Sequence, residues 1–262
     1  MAGALIALGS GGMIVLVLGL IGGGGSILAV PLLVYAVGEP AHVAIGTAAL
    51  AVALNALTSL ALHARRAPIR WPCAIAFSVA GVAGALAGAA FGKMVDGTHL
   101  LALFGLLMIV VGVMMLRPRR AAANPSERLT MITARRLLPR LLGACAAVGV
   151  LSGFFGIGGG FLIVPGLILA ADMDIRDAAS ASLVGVAAFG TASASSYAWS
   201  GLIDWQVAAL LVGGGVLGAL VGSGANAVLV QRKEVLTRLF AWFVVAAGLY
   251  VGVRGVLSVV QV

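Results

Sequence analysis

The sequence predicts an all-α integral membrane protein of eight hydrophobic segments, built as two homologous halves that are inverted relative to one another. Three observations carry that prediction. Of the 262 residues 62% are hydrophobic and only 9% charged, at a mean hydropathy of +1.17, whereas soluble domains carry about 25% charged residues. The apolar runs approach the roughly 20 residues that cross a bilayer as a helix and exceed the roughly 10-residue alternating strands of a membrane barrel. Finally, the chain repeats itself at a fixed offset, with a glycine-rich interruption in each copy.

The segments run from about Ala4 to Val37, Ala41 to His63, Trp71 to Phe91, Leu100 to Leu116, Leu141 to Ala171, Ala178 to Trp199, Trp205 to Val230 and Leu236 to Leu257. The first and fifth are too long for one plain span, and each breaks at glycines followed by proline: GLIGGGGSILAVPLL from Gly19 and GFFGIGGGFLIVPGL from Gly153. Consecutive glycines disfavour helix, and unwound backbone persists at membrane depth only where it lines a cavity or finds partners. Helix is expected to resume at Ser26 and near Phe161, with Pro31 and Pro165 ending or kinking each half-helix. The third and seventh segments carry Gly84, Gly88 and Gly92 and Gly214, Gly218 and Gly222 at the four-residue spacing of close helix packing.

A shift of 134 positions lays Gly22, Gly24, Gly25, Val30 and Pro31 on Gly156, Gly158, Gly159, Val164 and Pro165, and Trp71 on Trp205, in one unbroken register. Residues 1–116 therefore form one repeat and 141–262 the other, joined by a basic linker at 117–140 that holds seven of the 16 Lys+Arg. If each broken segment is a re-entrant hairpin, 14 of those 16 cations fall inside and only Lys93 and Arg254 outside. If each is instead one broken span, the halves lie parallel with 11 cations inside and five outside, so the positive-inside rule favours inverted halves over parallel ones.

The +8 formal charge is explained by that loop, so no nucleic-acid partner is expected. Cys73 and Cys145 read as two buried thiols, and no cofactor or metal set appears. The absence of GxxxxGK[ST], GxSxG and HExxH argues against ATP hydrolysis, a serine hydrolase and a metalloprotease, so the chain is not expected to be an enzyme. A glycine break that heads a half-helix offers N–H groups with no intrahelical acceptor and about half a positive charge. Two such ends, Gly22, Gly23, Gly24, Gly25 and Ser26 in one half and Gly156, Gly158, Gly159 and Gly160 in the other, would form a midplane anion site, as in repeat-built carriers. Without Lys, Arg, Asp or Glu near the centre of a span, the side-chain candidates are Thr47, Asn55 and Ser182, with Thr58, Ser59, Ser180, Thr191, Ser193, Ser195 and Ser196 behind them. Many such hydroxyls bond their own helix instead. His42 and His63 flank the second segment, and histidine is the residue type that proton coupling most often uses.

The duplicated glycine break followed by Val-Pro, the Ala44-Ile45-Gly46-Thr47 stretch and the basic central loop resemble the TauE/SafE family of sulfite and organosulfonate exporters. The resemblance spans about Gly19 to Gly255. It implies a multi-pass permease of a bacterial or archaeal inner membrane that exports small sulfur oxyanions, with Gly22 to Ser26 and Gly156 to Gly160 in the transport site. Where the family often has Gly-Thr-Ser after the second break, this chain reads Ser180-Ala181-Ser182. The expected partners are a small anionic substrate and the lipid bilayer, and a homodimer is compatible with the sequence.

Overall fold

A computed structural model describes residues 26–63, 71–116, 131–160, 162–163, 175–216 and 233–260. All regular structure among them is helical: α1 (Ser26–Leu32), α2 (Ala41–His63), α3 (Trp71–Met94), α4 (Gly97–Leu116), α5 (Met131–Phe155), α6 (Ile175–Trp199), α7 (Trp205–Val216) and α8 (Lys233–Val260). Ala41–Ala61, Phe77–Met94 and Gly97–Leu116 are long and apolar enough to cross a membrane, and four shorter apolar helices accompany them. Large apolar side chains such as Val79, Phe91, Trp205 and Trp242 point outward, as lipid-facing helices require.

The element starts repeat the offset seen in the sequence. Ser26 and Gly160, Ala41 and Ile175, and Trp71 and Trp205 each begin helix 134 positions apart. α1 continues through Pro31 into a π-helical turn at Leu33–Val37 and stops at Gly38, whose φ of 85° only glycine adopts without strain. The N–H groups of Gly38 and Glu39 both donate to Leu33 O, closing the end as a left-handed cap. Pro40 supplies the first carbonyl of α2, and Asp96 that of α4. Asp204 caps α7 through Oδ1, which accepts from Gln206 N at 2.8 Å and Val207 N at 3.0 Å.

Glycine contacts fix how the helices run. Gly105 abuts Gly252 and Gly248, Gly112 abuts Val245, and Gly255 abuts Ala102, so α4 and α8 are antiparallel neighbours. α2 and α6 are likewise antiparallel, with Gly46 on Tyr197 and Ala53 on Gly190. α3 and α5 run parallel with backbones in contact, Gly84 on Ala146, Gly88 on Val150 and Gly153 on Ala85. These are the small-residue seams that the glycine spacing in the third segment predicts.

The turns at 38–40, 95–96 and 200–204 gather at one end, here the turn end. His42 donates from Nε2 to Val95 O at 3.0 Å, and Asp204 N donates to Thr47 Oγ1 at 3.0 Å. The opposite, basic end collects His63, Trp71, Leu116, Met131 and Ile175, the helix termini that flank most of the arginines. α5 begins at Met131, ten residues before the apolar run it was expected to follow, so 131–140 of the basic linker is helix. Arginine and leucine are good helix formers, and hydropathy alone misses a helix that continues past its apolar part.

Candidate functional site

The second glycine break is buried between α2 and α6. α5 ends at Phe155, and the chain turns through Gly156, Gly158 and Gly159 at φ 61°, 66° and 73°. That conformation costs a side-chain-bearing residue about 1–2 kcal/mol. Space excludes a side chain as well: a β-carbon on Gly156 would meet Ile45, and one on Gly158 would lie 2.6 Å from Val52 Cγ1. Val186 of α6 closes the other side, 3.5 Å from the same point. Leu162 N and Ile163 N both donate to Gly159 O, at 2.9 and 2.8 Å, so Gly159 starts a new helical turn headed by Gly160. Its first N–H groups have no carbonyl of their own helix to meet.

Ser152 adds a hydroxyl to this turn, one that the sequence pattern did not single out. It is fully buried, its Oγ lies 3.2 Å from where a β-carbon of Gly159 would stand, and it has no hydrogen-bond partner among the described residues. A buried hydroxyl left unpaired costs on the order of 1–3 kcal/mol. In the sequence it is a lone serine in an apolar run, four positions before Gly156, with nothing to mark its hydroxyl as unpaired.

Asn55, partly buried on α2, holds a buried amide oxygen, Oδ1, that has no hydrogen-bond partner among the described residues. It packs on Gly215 of α7, while its counterpart under the 134-residue shift, Phe189, packs on Gly81, the counterpart of Gly215. The duplicated fold thus builds one slot twice and fills it with an amide in one half and a ring stacked on Phe77 in the other.

The remaining candidates are spread along the helices. Thr47 is buried and accepts the Asp204 N–H, tying α2 to the turn end. Ser182 is buried on α6, and Ser26 is buried at the head of α1. Gly22, Gly23, Gly24 and Gly25 lie outside the described residues. Thr58, Thr191, Ser193 and Ser195 donate to carbonyls four residues back in their own helices, at 2.6 to 2.9 Å, which spends the proton an anion would need. His42 is held on Val95 O. Cys145 is a buried free thiol.

Chemically, the Gly156–Gly160 turn is buried backbone at the start of a helical turn, and the unpaired Ser152 hydroxyl beside it can donate a hydrogen bond to an anion. A family model for the sulfite exporter TauE/SafE matches residues 7–251. A probable membrane transporter protein of Xylella fastidiosa (strain 9a5c) is 42% identical over 248 residues, 94% of each chain. The probable membrane transporter protein YunE of Bacillus subtilis (strain 168) is 26% identical over 240 residues, 82% of this chain and 88% of its own. No solved structure matches.

Proposed function

Because the chain belongs to the TauE/SafE sulfite exporter family of multi-pass membrane transporters, we propose that it is a secondary exporter of a small sulfur oxyanion, sulfite or an organosulfonate, across the inner membrane. The buried Gly156–Gly160 turn carries the reading, since it sets helix-initiating N–H groups and the unpaired Ser152 hydroxyl side by side. In this proposal Gly22 to Ser26 supply the matching end from the other half, and Asn55 and Ser182 complete the lining. Two helix ends provide together about one positive charge, without the bidentate clamp an arginine makes. Binding is then weak, on the order of 10 μM to 1 mM, or about −7 to −4 kcal/mol.

The halves are proposed to be inverted. Support comes from the antiparallel course of α2 with α6 and of α4 with α8, each the other's counterpart under the shift, and from the clustering of cations at the basic end, which the positive-inside rule assigns to the cytoplasm. The functional test is efflux from proteoliposomes loaded with radiolabelled sulfite or methanesulfonate, with a small carboxylate as comparison. Saturable sulfite efflux that methanesulfonate inhibits is the expected result. Transport of the carboxylate with no sulfite movement would overturn the substrate assignment, and absence of all anion flux would overturn the carrier reading.

A further inference from the structure

The geometry points to a second oxyanion-binding station at the turn end, formed by the Lys93 ammonium and the hydroxyls of Ser196, Ser200 and Tyr197. The inference rests on the anion-carrier reading and adds to it a site separate from the glycine turn. Lys93, placed by sequence in an outer loop, instead sits half-buried in the last turn of α3 and reaches across to the end of α6. Its Nζ donates to Ser196 O at 3.1 Å, Ser196 Oγ at 3.0 Å and Ser200 Oγ at 3.0 Å. The same ammonium lies 5.8 Å from the centre of the Tyr197 ring.

Tyr197 is the observation that points to a ligand. Its side chain is fully buried, yet its hydroxyl has no hydrogen-bond partner among the described residues. The ring passes between two glycines, with Cβ against Gly46 of α2 and the hydroxyl 3.0 Å from where a β-carbon of Gly92 would stand. The unpaired phenol therefore lies beside the residue that precedes Lys93. The ammonium that bonds Ser196 and Ser200 thus lies by the ring whose hydroxyl is unpaired, and a charge-assisted oxyanion contact is stronger than a neutral one.

The station is also a clasp. Lys93 joins α3 to the last turn of α6, and all three of its protons are used on Ser196 of that helix and on Ser200 just beyond it. An arriving oxyanion takes over an ammonium N–H from a serine oxygen, which loosens α6 from α3, while the Ser200 hydroxyl keeps its own proton on Ser196 O at 3.2 Å. Ser200 is exposed and Ser196 partly so, which gives the anion access from the turn end, while Gly46 and Tyr197 close the path behind it. Anion arrival and release of the clasp are thus one exchange of hydrogen bonds.

The test measures sulfite flux in proteoliposomes with sulfite supplied at the turn end. Lys93→Met is expected to raise the KM there by about tenfold, the loss of one charge-assisted contact, with Lys93→Arg recovering most of it. Tyr197→Phe keeps the ring and its packing, and should raise the same KM several-fold at unchanged folded yield. If Lys93 only stabilised the end of α6, Lys93→Met would lower the melting temperature and leave KM unchanged, which would overturn the proposal. Should Lys93→Met fail to fold, Tyr197→Phe decides, and an unaltered KM in that variant overturns the station. A wild type that moves no sulfite refutes the carrier reading, whereas a wild type that does so beside unaltered variants refutes only the station.

Discussion

Gly158 combines two constraints that a single methyl group would violate, a left-handed backbone and a β-carbon position 2.6 Å from Val52 Cγ1. Gly158→Ala should therefore reduce anion flux by tenfold or more, with a stability loss of about 1–2 kcal/mol from the backbone alone. Reconstituted flux normalised to folded protein checks it, and wild-type flux would remove the turn from the site. Asn55 can donate or accept, so Asn55→Asp, which sets a negative charge beside the proposed anion, should impair transport more than Asn55→Ala. Equal activities between pH 5 and 8 would place Asn55 outside the path. The second glycine break was legible as a turn because its glycines are clustered, where helix packing alone would space them four apart, whereas Gly22 to Gly25 lie outside the described residues. Ser152 and Tyr197 were not legible. A lone serine or tyrosine in an apolar run looks the same whether its hydroxyl is paired or orphaned, and only tertiary packing reveals which.

At the scale of elements, helix existence was written in hydropathy and helix limits were not. The second segment was expected from Ala41 to His63 and is α2 over those residues, because Gly-Glu-Pro before it supplies a stop and a start. α5 runs ten residues further back than its apolar run, since charged residues end a hydropathy window without ending a helix. Two turns also meet in a way no local pattern announces. Glu39, between α1 and α2, shares a hydrogen bond with Asp204, the cap of α7. Desolvation first, then the Asp204 charge and that hydrogen bond, hold the Glu39 carboxyl above the ordinary carboxylate range. The folded protein thus binds this proton more tightly than the unfolded chain. The associated stability is full below the ordinary value and is lost as pH rises through the raised one. Glu39→Gln keeps a donor for Asp204 and cannot ionise, so its melting temperature should fall less than that of wild type between pH 4 and 7. Parallel melting profiles would show that Glu39 does not contribute.

For the whole molecule, the offset of 134 residues was readable because proline and tryptophan recur in register with glycine, and the helix starts follow it. The direction of each helix came from packing, with charge counting as its only trace in the sequence. If the basic end is cytoplasmic, a cysteine at Gln206 should react with an impermeant thiol reagent from the periplasm and one at Ser126 only from the cytoplasm. The reverse labelling would invert the whole arrangement. The antiparallel pairing of α4 with α8 and of α2 with α6 has an electrical corollary. Each helix carries an axial dipole, and in a counterpart pair of opposite course the two largely cancel. A transmembrane voltage therefore finds little to grip in these two pairs and acts on whatever charge crosses the protein, at about 2.3 kcal/mol per elementary charge per 100 mV. Current recorded from reconstituted protein at stepped potentials should be no steeper than the net charge moved per cycle, so its slope counts the charge of the cargo together with any ion that travels beside it.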